Sequence, residues 1–272
     1  MNAGPSGRLP EAYPEPHPEP RQPKPEPHPE LFPRERTEVA PGAVHVPGWL
    51  DGDRQRRLVE ACREWARPPA GLRTVRTPGG GTMSARQVCL GLHWYPYAYA
   101  ATAVDGDGAP VKPMPGRLAE LGREAVRAAY GSLDPLGPED AYDIALVNFY
   151  DADARMGMHR DAEERSGAPV VSLSLGDSCV FRFGNTATRG RPYRDVELRS
   201  GDLFVFGGPS RLAYHGVPKV YPGTAPPGLG LTGRLNITLR VGGLGPVTPI
   251  DPVAPVAPVD PAPARGPGGR DA

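Results

Sequence analysis

The chain has 272 residues, of which 39% are hydrophobic and 23% are charged. Its 31 basic and 31 acidic side chains balance, so the formal net charge at pH 7 is zero. This balance argues against a protein that binds nucleic acid mainly through charge, because such proteins are usually strongly basic. No long apolar run or signal-peptide pattern is present, so we expect a cytoplasmic protein without a membrane span.

The cysteines are few and widely spaced. Cys62, Cys89 and Cys179 form no C-x-x-C pair, which excludes a disulfide framework and a zinc finger. An odd, sparse set of this kind favours a reducing compartment.

Both ends of the chain are rich in proline. Residues 1–33 contain 11 prolines and residues 245–272 contain eight, together 19 of the 37. Proline lacks a backbone donor and disfavours helices and central strands, so we predict extended, disordered tails at both ends. The remaining segment, 34–244, has the size of one domain, and its 26 basic and 23 acidic residues give it a net charge of +3.

Two helices are predicted in the first half of this domain. In the first, Leu58, Cys62 and Trp65 recur at helical spacing after Asp51, whose side chain can cap the helix start. The second lies in GRLAELGREAVRAAYG, where Gly131 suits the helix end. Its apolar face consists of Leu118, Leu121, Ala125 and Ala129. Between the two helices, RTPGGGTMS is predicted to be a loop.

From Ala145 onward the apolar period changes to two. The segments ALVNFY, VVSLSL, CVFRF, DLFVF and RLNITLRV are short, rich in β-branched and aromatic residues, and separated by Gly, Asp and Ser. Many short strands with two helices outside them predict a mainly β fold of the jelly-roll type, a double-stranded β-helix.

The segment ARMGMHRDAEE raises the question of chemistry. His159 and Asp161 are two residues apart, so on an extended chain both side chains point to the same face. Three interpretations compete: a metal site, the HRD loop of a protein kinase, or a histidine in a turn. The kinase interpretation fails, because Ser166 occupies the position where a kinase needs asparagine, and no V-A-I-K strand follows a glycine-rich loop.

A metal site needs a third ligand from elsewhere in the chain. His45 precedes the first helix and is interpreted as structural, and His93 lies in an aromatic run. His215 follows the strand LFVF, where a neighbouring strand returns across the barrel mouth. His159, Asp161 and His215 would form a facial triad of two histidines and one carboxylate, the donor set of many non-haem iron(II) oxygenases.

The strand RLNITLRV adds a second functional pattern. Arg234, Asn236, Thr238 and Arg240 alternate with apolar residues and therefore share one face. Neighbouring strands are nearly all apolar, so an inward face with two arginines needs anionic partners. The planar fork of arginine suits carboxylates, and two arginines match a dicarboxylate such as 2-oxoglutarate. The strand ending in NFY adds two neutral donors on one face, Asn148 and Tyr150.

Together these motifs resemble the AlkB family of iron(II)- and 2-oxoglutarate-dependent dioxygenases. The likeness lies in the order and spacing of NFYDADARMGMHRD, PVVSLSLGDSCVFRFG, LRSGDLFVFGGPSRLAYHGV and RLNITLRV, and it extends from about Pro41 to Val241. Upstream, RTPGGGTMS and LGLHWYPYAY resemble the family's nucleotide-recognition lid. The resemblance implies a jelly-roll core at about 141–242 and a lid at about 73–115.

The resemblance also implies residue roles. His159, Asp161 and His215 would hold Fe(II). Arg234, Tyr150 and Asn236 would hold the distal carboxylate of 2-oxoglutarate, and Arg240 and Asn148 the end nearer the metal. Five residues would bind the nucleotide. Trp94 would stack on a flipped base, with His159 on the other side, and Tyr97 and Tyr99 would meet the base or its phosphate. Glu163 would accept a hydrogen bond from the exocyclic amine of the base, and Arg189 would contact DNA.

The expected activity is oxidative removal of alkyl groups from nucleobases such as 1-methyladenine and 3-methylcytosine. O2 and 2-oxoglutarate would be co-substrates, and alkylated DNA, preferably single-stranded, or RNA would be the partner of a monomeric enzyme. Two alternatives stay open. One is a 2-oxoglutarate oxygenase for RNA bases or a small molecule, and the other is a non-catalytic barrel that binds nucleic acid.

Overall fold

The computed structural model describes residues 34–244. The two proline-rich tails predicted at 1–33 and 245–272 lie outside the described residues. Neither helix of the described segment is long and apolar enough to cross a membrane.

Two antiparallel sheets form the jelly roll, which confirms the predicted mainly β fold. The larger sheet comprises eight strands, β1 (Thr37–Ala40), β2 (Ala43–Val46), β3 (Arg73–Arg76), β4 (Thr82–Leu90), β7 (Ile144–Tyr150), β9 (Val170–Gly176), β12 (Leu203–Phe206) and β14 (Arg234–Arg240). The smaller comprises four, β8 (Met156–His159), β10 (Ser178–Phe183), β11 (Arg194–Leu198) and β13 (His215–Tyr221). Within the sheets, the strand orders are β1-β2-β12-β9-β14-β7-β4-β3 and β11-β10-β13-β8.

A third, two-stranded sheet forms a hairpin of its own. It pairs β5 (His93–Tyr95) with β6 (Ala98–Ala100), and we call residues 93–100 the lid hairpin. Strands β3 and β4 extend the large sheet, so only 77–81 of the predicted RTPGGGTMS loop connects two strands. Because β4 carries the polar Gln87 at a buried position, its strand pattern was not evident in the sequence.

Both predicted helices are present and begin and end as expected. Helix α1 (Gly52–Trp65) starts at Asp51, whose side chain accepts a hydrogen bond from the Arg54 amide at 2.7 Å. Helix α2 (Gly116–Tyr130) ends at Gly131, whose φ of 80° is a left-handed conformation that glycine adopts without steric cost.

The large sheet separates two cores, and β14 shows how. Leu235, Ile237 and Leu239 belong to the core that includes the buried faces of both helices. Arg234 and Arg240, on the opposite face, are buried between the two sheets, where an aromatic cluster surrounds the site. That cluster contains Phe181, Phe183, Phe204 and Phe206. The period-two pattern of this strand therefore separates a structural face from a functional face.

A glycine in α2 tests how tightly this helix packs. Alanine is normally the better helix former, but a Cβ at Gly122 would lie 2.4 Å from the buried ring of Tyr142. We therefore expect Gly122→Ala to lower the free energy of unfolding by about 1–3 kcal/mol. Gly116→Ala, with no atom within 4 Å of its Cβ, is the control and should be neutral or slightly stabilising. Denaturant unfolding measures both, and equal stabilities would contradict the packing.

Candidate metal and co-substrate site

The predicted metal ligands converge. His159 at the end of β8 lies directly opposite His215 at the start of β13 in the antiparallel register. The Nε2 atom of His159 is 3.7 Å from Oδ1 of Asp161, and Nε2 of His215 is 3.8 Å from Oδ2 of the same carboxylate. The three ligand atoms lie within 4.8 Å of one another. One ion could therefore contact all three side chains.

Each histidine is oriented by a backbone carbonyl. Nδ1 of His159 is 3.0 Å from the Gly157 oxygen, and Nδ1 of His215 is 3.0 Å from the Ala213 oxygen. An N–H at Nδ1 that donates to these carbonyls leaves the Nε2 lone pair free for a metal. The backbone thus selects the tautomer that a metal site requires.

The electrostatics of the site favour metal-binding protonation states. Burial, together with the neighbouring His159, lowers the pKa of His215 to about 4, so its ring is neutral at physiological pH. Burial alone would raise the pKa of Asp161, but Arg240 and the two histidines lower it to about 2. A neutral imidazole at His215 and an ionised carboxylate at Asp161 are ligands that suit iron(II).

A single cavity joins the triad to the predicted co-substrate residues. Its lining includes Asn148, Tyr150, His159, Asp161, His215, Arg234, Asn236 and Arg240. The structure therefore brings together all eight residues that we expected to hold the metal and 2-oxoglutarate.

Arg234 has the properties of a carboxylate receptor. It is 1% exposed, and its Nη2 donates to Ser174 Oγ at 3.1 Å. Its Nε and Nη1 are buried without a hydrogen-bond partner among the described residues. Each unpaired buried donor costs about 1–3 kcal/mol, more for a charged group, so this guanidinium fits an anionic ligand. The distal carboxylate of 2-oxoglutarate would satisfy both donors.

The metal end of the cavity contains a ladder of amides and a second arginine. Gln87 donates to Asn148 Oδ1 at 3.0 Å, and Asn148 donates to Asn236 Oδ1 at 3.4 Å. Asn236 in turn donates to Ser172 Oγ at 2.8 Å. Arg240 contacts Asp161 at 2.7 Å, and its buried Nε has no partner within 34–244. Asn148 and the free Nε of Arg240 fit the keto-acid end of 2-oxoglutarate, whereas Asn236, which we expected at the distal carboxylate, is held between Asn148 and Ser172.

A second, open cleft with a volume of about 280 Å³ adjoins the first cavity. Four of the predicted nucleotide-binding residues line it, namely Trp94, Tyr97, Glu163 and Arg189. His159 and Asp161 line both spaces, so the cleft opens directly onto the metal ligands. We call it the lid cleft.

The lid-cleft side chains differ in exposure. Trp94 is half-buried with a buried, unpartnered Nε1, whereas Tyr97 is 59% exposed. Arg189 is exposed, with its guanidinium 6.0 Å from the ring of Tyr214. Burial raises the pKa of Glu163, which is half-exposed on the cleft wall.

Tyr99 does not lie where it could contact a base or its phosphate, as we had expected. Its side chain is 1% exposed, and its hydroxyl donates to Glu164 and lies 3.0 Å from Arg240 Nη1. The reason is the hairpin turn. Tyr97 lies in this turn with a φ of 70°, whereas Tyr99 lies in β6, so the two side chains do not share a face as residues two apart on one strand would. Only Tyr97 therefore faces the lid cleft.

Three residues of the site were not predicted. Glu164 and Arg211 form a buried ion pair beside Arg240, and Gln87 orients Asn148. Adjacent glutamates in HRDAEE offered a signal for Glu164, but the sequence does not show which of the two points inward. Arg211 stands in SRLAYHG without any local sign that its side chain is buried.

Comparison with known proteins agrees with this geometry. The model of the 2OG-Fe(II) oxygenase superfamily matches residues 42–240. An alpha-ketoglutarate-dependent dioxygenase AlkB homolog of Caulobacter vibrioides is 40% identical over 210 residues, which cover 74% of this chain and 88% of the relative. AlkB of Escherichia coli is 35% identical and covers 63% of this chain and 78% of the relative.

Two plant proteins extend the comparison. The DNA N(6)-methyladenine demethylase ALKBH1D of Arabidopsis thaliana is 35% identical over 228 residues, and the match covers 74% of this chain but half of that relative's length. The solved structure of OsALKBH1 superposes with a TM-score of 0.67 at 32% identity, covering 76% of this chain and 99% of the other.

The fold, the triad and the two buried arginines define a 2-oxoglutarate- and iron(II)-dependent oxygenase. Within that class, the chain belongs to the AlkB family of dioxygenases. Its cofactor is Fe(II), and its co-substrates are 2-oxoglutarate and O2.

The metal assignment can be tested by stability. Metal at 100 times its dissociation constant should stabilise the parent by about 2.7 kcal/mol. His159→Ala should abolish the Mn(II)-induced rise in Tm while leaving the apo Tm nearly unchanged, because this side chain is 37% exposed. The control is His45→Ala, which removes a contact to Asp202 at 3.0 Å and should lower the apo Tm but keep the metal shift. A normal shift in His159→Ala would contradict the assignment.

The co-substrate assignment makes a two-sided prediction for Arg234→Met. Binding of 2-oxoglutarate, measured by calorimetry with Mn(II), should weaken by about 2–5 kcal/mol. The apo protein should be as stable as the parent or more so, because two unpaired buried donors are removed. Arg86→Met, which changes an exposed arginine over Phe149, is the control and should not alter 2-oxoglutarate binding.

Proposed function

We propose that this enzyme removes alkyl groups from N-alkylated nucleobases in DNA by oxidation. One observation carries the proposal: a cleft that includes Trp94 and Tyr97 opens onto His159 and Asp161 and adjoins the cavity assigned to 2-oxoglutarate. An aromatic-lined cleft beside an oxidising centre suits a flat, stackable substrate. The Arabidopsis relative ALKBH1D is named a DNA N(6)-methyladenine demethylase, which agrees with this substrate class.

The cofactor and co-substrates supply the oxidation. Bound Fe(II) would couple the oxidative decarboxylation of 2-oxoglutarate by O2, which gives succinate and CO2, to hydroxylation of the N-alkyl carbon. The hemiaminal formed from an N-methylated base would then release formaldehyde. Arg234 binds the distal carboxylate, and Asn148 and Arg240 orient the keto-acid end. Arg240 and the two histidines lower the pKa of Asp161, so its carboxylate would be an anionic ligand for the metal.

The lid cleft positions the substrate. A base must leave its stack to reach the triad, so the enzyme takes a flipped nucleotide. Trp94 stacks on one face of this base and His159 lies against the other. Glu163 accepts a hydrogen bond from the exocyclic amine, and Tyr97 and Arg189 contact the flanking phosphates.

We further propose single-stranded DNA as the preferred form, since unstacking costs least there. The net charge of +3 on segment 34–244 is small, so stacking has to contribute affinity that charge does not. The only large hydrophobic residues exposed in the described segment are Tyr97, Val104 and Leu212, which supports a monomer. Three buried free cysteines support a reducing, cytoplasmic location.

RNA is the second candidate substrate. A relative in Cryphonectria parasitica, matching 38% of this chain, is named an N6-methyladenosine RNA demethylase. Formaldehyde release on matched DNA and RNA strands carrying 1-methyladenine or 3-methylcytosine separates the two. Release from RNA alone would move the substrate class to RNA, and release from neither strand would contradict the proposed function.

Replacement of Trp94 tests the stacking role. Trp94→Ala should weaken binding of a methylated single strand by about 1–3 kcal/mol, the usual value of one base–aromatic contact. Binding of 2-oxoglutarate and succinate formation without DNA should be unchanged, because Trp94 does not line the co-substrate cavity. Demethylation at sub-saturating DNA measures the effect, and parental rates would contradict the stacking role.

Glu163→Ala tests base recognition separately. Loss of an acceptor for the exocyclic amine should lower the rates on 1-methyladenine and 3-methylcytosine, which both carry this amine, relative to the rate on 3-methylthymine, which lacks it. Glu139→Ala, an exposed glutamate outside the lid cleft, is the control. An unchanged preference in Glu163→Ala would show that this carboxylate does not read the base.

A further inference from the structure

Glu164 is a buried carboxylate that is neither a member of the metal triad nor part of the lining of the co-substrate cavity. Its side chain has no solvent exposure. Its Oε1 accepts hydrogen bonds from the Tyr99 hydroxyl and from Arg240 Nη1, the latter at 2.8 Å, and its Oε2 accepts from Arg211 Nη2 at 2.9 Å. Burial of a carboxylate is costly unless it is paired, and here two arginines neutralise it.

The three partners of Glu164 come from three functional parts of the molecule. Tyr99 is in the lid hairpin, where it lies directly across from Trp94 in the strand register. Arg240 ends β14 and contacts Asp161. Arg211 donates to the backbone oxygen of Asp161 at 2.8 Å. One side chain therefore connects the lid to a metal ligand through two arginines.

We propose that Glu164 is a positioning residue that holds the lid hairpin and Arg240 in one arrangement around Asp161. The same oxygen, Oε1, receives both Tyr99 and Arg240, so a displacement of the lid displaces the guanidinium that orients the metal ligand. The part of this inference that concerns dealkylation of a nucleobase rests on the proposed function. Its consequence is that oxidation of 2-oxoglutarate and dealkylation of the base occur in matched amounts.

The adjacent glutamate has a different place, which makes the position specific. Glu163 faces the lid cleft, whereas Glu164 does not line it. A charge needed only to neutralise Arg211 and Arg240 would not require the lid hydroxyl as a third partner. The role of Glu164 can thus be separated from simple charge balance by removing the Tyr99 hydroxyl alone.

The first test is Tyr99→Phe, examined without nucleic acid. Removal of one hydrogen bond to a charged group should accelerate amide hydrogen exchange in the lid hairpin by at least about tenfold. Tyr95→Phe is the matched control, since Tyr95 lies in the same hairpin and its hydroxyl has no hydrogen bond to residues 34–244. Equal exchange in the two variants would overturn the proposal.

The second test is Glu164→Gln, which preserves shape but removes the charge that aligns Arg240. We expect Mn(II)-supported binding of 2-oxoglutarate to weaken by about 10–100-fold, the range by which changes in groups that orient metal ligands lower metal affinity or activity. Tyr95→Phe, whose hydroxyl has no hydrogen bond within residues 34–244, is the control and should bind 2-oxoglutarate as the parent does. Parental affinity in a folded Glu164→Gln would overturn the proposal. If this variant does not fold, the Tyr99→Phe exchange result decides.

The third measurement is the ratio of succinate to formaldehyde on a methylated single strand. A loss of folded protein lowers both products equally, whereas a misplaced lid should raise the ratio several-fold in Tyr99→Phe. Faster amide hydrogen exchange in the lid hairpin with an unchanged ratio of succinate to formaldehyde would overturn the inference that the two reactions occur in matched amounts. If the parent releases no formaldehyde from any strand, the proposed function fails, while lid exchange and 2-oxoglutarate binding still decide the role of Glu164.

Discussion

The ion pair between Arg240 and Asp161, 2.7 Å long and buried, is the interaction on which the site depends. It lowers the pKa of a carboxylate that burial alone would raise, so Asp161 is a charged ligand before any metal arrives. It also fixes the end of β14, whose other arginine, Arg234, is six residues away and faces the same interior. One strand therefore relates the metal to both ends of the co-substrate.

The fold makes this arrangement possible by giving β14 two different environments. The apolar face packs toward the helices, and the polar face lies between two sheets. Because neighbouring strands β7 and β9 pair along the whole length of β14, the arginines cannot change register without exposing Ile237 and Leu239. Stability of the core thus enforces accuracy of the site.

Much of this could be predicted from the sequence because it depends on local patterns. The caps at Asp51 and Gly131, the period of β14 and the spacing of His159 and Asp161 are short-range features, and the structure confirms them. Strand β4 and the burial of Tyr99 could not be predicted, because they depend on partners far away in the chain. The same holds for Arg211, whose guanidinium bonds groups 43 to 50 residues away.

The two unpaired donors of Arg234 have a consequence for the end of the catalytic cycle. Succinate keeps the distal carboxylate of 2-oxoglutarate and loses only the keto-acid end. In the proposed binding mode, Arg234 cannot distinguish spent product from fresh co-substrate, and the choice between them falls to the other end of the cavity. Accumulated succinate would compete with 2-oxoglutarate for the same guanidinium. The residues proposed to retain the co-substrate would therefore also make the enzyme sensitive to the ratio of the two dicarboxylates around it.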